Sequence, residues 1–113
     1  MKKIVYYASS QKEIKTFSNK AKQRIAQLLD MLAEGLELQA NDFKYMATVG
    51  MGVYELRVKA DKHYRVFYVA KFEGAIYVLH AFTKKTPQTS QQDIDKGRER
   101  YNALLRHVKA GGD

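Results

Sequence analysis

Five basic side chains, Arg57, Lys59, Arg65, Lys84 and Lys85, fall in a stretch otherwise rich in valine, tyrosine, phenylalanine and isoleucine. Arginine offers five N–H donors in a rigid fork that matches phosphate oxygens, and it keeps its proton. Lysine offers a point charge, and it can release a proton when burial or a neighbouring cation lowers its pKa. Fixed on one surface, these residues have the chemistry to grip phosphates and, through a lysine, to move a proton. Arg57, Arg65, Lys84 and Lys85 are the candidates for gripping phosphate. Lys59, Lys44 and Arg98 are candidates for holding the nucleic acid. Lys84 and Lys85 are adjacent, so in an extended segment at most one of them faces such a site.

Each residue has a structural alternative. Arg57 has Glu55 or Glu73 as a salt-bridge partner, and the two lysines fit a solvated strand end. His80 lies in an apolar run and reads as a core histidine, whereas His63 reads as surface. Lys96, Arg98, Arg100 and Arg106 fit the wet face of a helix that RNA could also use.

The elements that must position these groups follow from periodicity. Val53–Lys59, Tyr64–Phe72 and Ile76–Thr83 read as three strands joined by short turns, hence an antiparallel meander. Tyr54, Leu56 and Val58 share one face of the first, and Glu55, Arg57 and Lys59 share the other. In the second, Tyr64, Val66 and Tyr68 oppose Arg65, Phe67 and Val69. The third is almost wholly apolar and is expected to be covered on both faces.

Before the meander, Lys2–Ala8 predicts a short strand, and Ser10 with Glu13 matches a capping box opening a helix to about Phe17. Ser18 or Asn19 starts a longer helix to about Glu34, with Ala21, Ile25, Leu28, Leu29 and Leu32 as its buried stripe and Gly35 closing it. Residues 36–52 read as a loop, with Lys44 and Tyr45 beside a site or simply packed. After Pro87, Ser90 and Asp93 cap a helix from about Gln91 to Lys109, ended by Gly111 and Gly112. Gly97 within it predicts close backbone packing. The order strand, helix, helix, three strands, helix predicts a small α+β sandwich with its sheet open on one side.

The 113 residues are expected to form one domain, with no disulfide, thiolate site or cofactor, since cysteine is absent. The longest N-terminal apolar run, Ile4–Ala8, is too short for a signal or a membrane span, so the expected location is cytoplasmic, away from any membrane. The net charge of +8 is spread over the chain, +3 from residues 1–52 and +5 from residues 53–113. A body-wide positive charge predicts a polyanionic partner, nucleic acid before acidic protein.

The VYELRV strand, the HYRVFYV strand and the LHAFTKKT segment ahead of a Ser/Gln-capped basic helix resemble the RelE/HigB toxin superfamily, more narrowly its phage-derived HigB-like branch. The pattern covers Val53–Tyr101, and the N-terminal strand and helices extend it over nearly the whole chain. The resemblance implies a RelE-like fold and a toxin of a bacterial toxin–antitoxin pair. Such a toxin cleaves mRNA on the ribosome without a metal and is silenced by an antitoxin, commonly a helix-turn-helix protein. By matching motif, Arg57, Arg65, Lys84 and Lys85 stand where such relatives carry functional basic residues. That makes them the catalytic candidates for a cleavage that needs a base for the 2′-OH, stabilisation of the charged phosphorane and an acid for the departing oxygen. The histidine–carboxylate–tyrosine trio that some HigB-like relatives carry near the C-terminus has no match, which leaves the general base open. The rival readings are a ParE-like poison of DNA gyrase and a non-catalytic RNA- or antitoxin-binding module.

Overall fold

The computed structural model describes residues 1–109 and 111. The chain runs β1 (Lys3–Tyr6), α1 (Ser10–Lys15), α2 (Asn19–Ala33), a 3₁₀ turn at Ala40–Asp42, β2 (Phe43–Tyr45), β3 (Val53–Lys59), β4 (His63–Val69), β5 (Ala75–Lys84) and α3 (Gln91–Lys109). The expected element order is present, with one short strand, β2, added inside what the sequence reads as a loop. The five strands lie in the order β1-β5-β4-β3-β2. β1 runs parallel to β5, and every other pair is antiparallel.

The sheet is not open on one side. Alternation on β4 sends Tyr64, Val66 and Tyr68 beneath α2 and Phe67 and Val69 beneath α3, so two apolar clusters form, one on each face. The first is closed by Ala21, Ile25, Leu28, Leu29 and Ala33 of α2, all buried. No acidic residue sits in the first turn of α2 and no basic residue in its last. An isolated 15-residue helix is marginal in water, so this stripe, at about 1.5–3 kcal/mol per buried aliphatic side chain, is what holds it. Ser18 caps the helix by accepting from the Ala21 amide at 3.2 Å. Gly35 follows it at φ +81°. The second cluster is closed by Tyr101 and Leu104 of α3, with Met46 and Val49 from the loop after β2.

The backbone of α3 lies close to the sheet at Gly97. A Cβ there would stand 2.6 Å from Cδ2 of Phe67. Phe67 is fully buried and meets Phe82 edge-on at 5.2 Å, so it has nowhere to go. Gly111 follows α3 at φ +92°, whereas Gly112 lies outside the described residues.

The expected N-terminal capping box does not form. Ser10 lies within α1, fully buried, and its Oγ donates to the Val78 carbonyl at 3.0 Å. Glu13 is drawn away from the helix end by stronger donors, the Ala81 amide and the side chains of His80 and Arg100. The helix ends at Lys15, short of Phe17, which packs on Tyr64 in the first core cluster.

One irregularity decides the site. Phe67 pairs with His80 but Tyr68 pairs with Val78, so Leu79 is an extra residue on β5. Such a bulge shifts the phase of everything after it. Val78 faces α2, whereas Leu79 and Phe82 both join the cluster beneath α3. Lys84 is carried to that same face.

Candidate nucleic-acid interface

Arg57 and Arg65 are direct cross-strand partners on β3 and β4. Like charges facing each other this way destabilise a sheet unless something intervenes. Glu55 intervenes, two residues before Arg57 on the same face and 1 % exposed. Its Oε1 stands 3.4 Å from Nε of Arg65 and 3.8 Å from Nε of Arg57. Its Oε2 accepts from Thr89 Oγ1 at 2.9 Å. Both Nε groups are buried and make no hydrogen bond, that of Arg57 because it stands too far from the carboxylate and that of Arg65 because it lies off the hydrogen-bond direction. Arg65 is 7 % exposed and donates from Nη1 to its neighbour's carbonyl, Tyr64 O, at 3.1 Å. One buried carboxylate therefore serves two guanidinium groups and leaves positive charge in excess.

Lys84 joins this group from β5. Burial first, then the charge of Arg65, lowers its pKa below the ordinary lysine value; Glu55 pulls the other way, and Arg57 and Lys44 add to the lowering. Burial likewise lowers the pKa of Arg65, with Glu55 opposing and Arg57 adding. A cavity of about 340 Å³ opens here, lined by His63, Arg65, Lys84, Lys85, Thr86 and Pro87. Lys84 and Lys85 thus border the same cavity, against the expectation that only one would. β5 ends at Lys84, so alternation no longer applies to Lys85.

The other candidates divide. Lys44 is exposed on β2 directly across from Glu55. Lys59 is exposed at the hairpin end across from His63. Arg98 is set apart: its Nη2 and Nε donate to Thr48 O at 2.5 and 3.2 Å, tying α3 to the loop after β2. Glu55 reads from the sequence as no more than a salt-bridge partner of Arg57, whereas His63 is exposed, as expected, and also borders the cavity. The register of His63 with Lys84, which follows from the bulge, was the missing signal.

A second polar cluster lies beside the first. His80 is 6 % exposed, with Nδ1 3.1 Å from Glu13 Oε1 and Nε2 2.8 Å from Asp93 Oδ1. Glu13 also accepts from Arg100, at 2.9 Å for Nη1 to Oε1 and 3.0 Å for Nη2 to Oε2. Burial opposes the charge on Glu13, but His80, Arg100 and the Ala81 amide outweigh it and bring its pKa from 4.5 to about 2. The cluster joins α1, β5 and α3 next to the strand end that carries Lys84 and Lys85.

A five-stranded sheet with helices in this order is the fold of RelE. Three solved Escherichia coli structures share it. The intact RelBE toxin–antitoxin complex aligns at 15 % identity and TM-score 0.55, over 76 % of this chain and all of that one. A free-state mutant of RelE aligns at 14 % and 0.57, over 95 % and 97 %. The isolated RelE toxin aligns at 14 % and 0.51, over 96 % and 99 %. No curated protein sequence matches the chain. The profile of the phage-derived protein Gp49-like family matches residues 12–102. The chain belongs to that family, a RelE/HigB-type toxin family, as its strand motifs imply.

Proposed function

We propose that this protein is the toxin of a toxin–antitoxin pair and that it cleaves mRNA on the ribosome without a metal. The observation that carries the reading is the pair Arg57 and Arg65 on the buried carboxylate of Glu55, with Arg65 and Lys84 together lining an open cavity. Arg57 and Arg65 hold the phosphoryl oxygens and offset the charge that grows on them in the transition state. Lys84, its pKa lowered, takes the proton of the attacking 2′-OH as the 2′-oxygen bonds to phosphorus. The P–O5′ bond breaks and the departing 5′-oxygen takes a proton from water, while Lys85 and Lys44 hold flanking phosphates as point charges. Lys59 extends that track, and Arg98 contributes to a more distant contact with RNA. The partner that silences it is an antitoxin carrying an acidic segment, a fit to the +8 charge of the body. The solved RelBE complex shows a toxin of this fold with its antitoxin.

Single-turnover cleavage on programmed ribosomes, with Lys84 and Lys85 changed separately to Arg and Ala, tests the reading. Lys84→Arg keeps charge but loses proton acceptance, so cleavage collapses while RNA still binds. Lys85→Arg cleaves nearly as fast as the unchanged protein, and Lys85→Ala weakens binding and flattens its salt slope by about one unit. Wild-type rates in all four variants would make the lysines a solvated strand end. DNA damage preceding translational arrest would favour gyrase poisoning instead.

A further inference from the structure

A cleft of about 670 Å³ lies beyond this group of charges. β2 pairs only with Tyr54–Leu56, so the edge of β3 from Arg57 to Lys59 is left without a strand beside it. α2 runs past that open edge. Lys20, Gln23, Arg24 and Gln27, spaced i, i+3, i+4 and i+7, turn one helical stripe toward it. Arg57 and Arg65 form the end of the cleft, where it meets the 340 Å³ cavity at Arg65 and His63.

The lining is organised. Nη2 of Arg24 bridges to both oxygens of Asp42 at 3.3 Å, and Nη1 donates to Gln27 Oε1 at 2.8 Å. Asp42 is the one carboxylate among the described lining residues, against five Lys and Arg. With its oxygen occupied by Arg24, Gln27 keeps its NH₂ group as a donor for another partner. The guanidinium of Arg24 is held on two sides and keeps further N–H groups free. A cleft with positive walls and fixed, donor-rich planar groups suits a nucleotide: phosphate beside Lys20 and Lys59, a base with acceptors against Arg24 and Gln27. An added peptide strand suits it less well, because backbone pairing along the edge would make no use of the cationic and amide side chains that form the walls.

We propose that this cleft takes the nucleotide adjoining the phosphate held by Arg57 and Arg65, and that Arg24 and Gln27 select its base for hydrogen-bond acceptors, guanine O6 and N7 being the best match. The inference rests on the ribonuclease reading and adds to it the residues that choose where the RNA is cut.

The experiment maps cleavage on ribosomes programmed with all four bases at each A-site position, using the full chain, Arg24→Lys and Gln27→Ala. Gln27 is exposed and its replacement leaves the core untouched, which keeps the test valid should the Arg24–Asp42 link matter for folding. The expected result is a preference for guanine at one position in the unchanged protein. The ratio of rates for guanine over the disfavoured bases falls roughly tenfold in either variant, the scale of one lost bidentate contact. Cleavage with an unaltered base preference in both variants overturns this inference and leaves the ribonuclease reading standing. An unaltered preference with weakened antitoxin binding overturns it in favour of a protein-docking cleft. No cleavage by the unchanged protein removes the ribonuclease reading and this inference together.

Discussion

Replacing Glu13 with glutamine keeps the shape of the side chain and removes the charge that joins α1, β5 and α3. In the folded protein Glu13 titrates at about 2 instead of 4.5, because His80, Arg100 and the Ala81 amide favour the carboxylate more than burial opposes it. At about 1.4 kcal/mol per unit the gap corresponds to roughly 3 kcal/mol. Solvent reaches 24 % of the side chain, which brings the expectation to about 2–3 kcal/mol. A carboxylate whose pKa is depressed by folding contributes fully above its unfolded value and loses that contribution as pH falls through the folded value. Urea titrations of wild type and Glu13→Gln from pH 7 to pH 2 should therefore differ by about 2–3 kcal/mol above pH 4.5 and converge toward pH 2. A gap that stays constant across that range would refute the electrostatic account and leave only a packing effect. No gap at pH 7 would refute the clamp itself.

Gly97→Ala should lower stability by roughly 1–3 kcal/mol in urea melts, the cost of overpacking against Phe67, even though alanine is the better helix former by about 1 kcal/mol. Glu55→Gln leaves Arg65 as a buried charge without its counter-charge and should cost about 3 kcal/mol or more; a Tm within a degree of wild type would contradict this. Arg57→Ala, with a third of its side chain exposed, should lose ribosomal cleavage with little change in Tm, whereas Arg65→Ala should also destabilise the fold. Association with the antitoxin, followed by stopped flow across a salt series, should slow several-fold between low and physiological salt; an on-rate independent of salt would count against an acidic partner.

Much of the fold was legible because its signals were local. Val53–Lys59 and Gln91–Lys109 lie where alternation and capping put them, and Ser18 and Ser90 both cap as their sequence context implies. The failures were non-local. Nothing near Ser10 announces that its hydroxyl is claimed by Val78 or that Glu13 is drawn to Ala81, each 68 residues away. β2 is three residues long and exists because β3 offers it an edge. The cationic face was readable on β3 and β4, where alternation is unbroken. On β5 the extra residue at Leu79 reverses the alternation, so the side to which Lys84 belongs depended on a bulge that no composition marks.

The parallel pairing of β1 with β5 sets an order of events during synthesis. Arg57, Arg65 and Lys84 all belong to the meander β3–β4–β5, whose hairpins close over short stretches of chain. β1 must wait for its neighbour: Lys3 pairs with Ala75 and Tyr6 with Val78, so the first strand has no partner until β5 has left the ribosome. The clamp is later still, since Glu13 needs His80 and then Asp93 and Arg100. Non-local contacts of this kind are slow to form. The nascent chain therefore emerges with β1 and the buried stripe of α2 uncovered, and it completes its native sheet only after most of the protein has been made. An N-terminal fragment ending before β5 lacks both the partner of β1 and Lys84, so a prematurely released chain carries neither a finished sheet nor a complete cationic site.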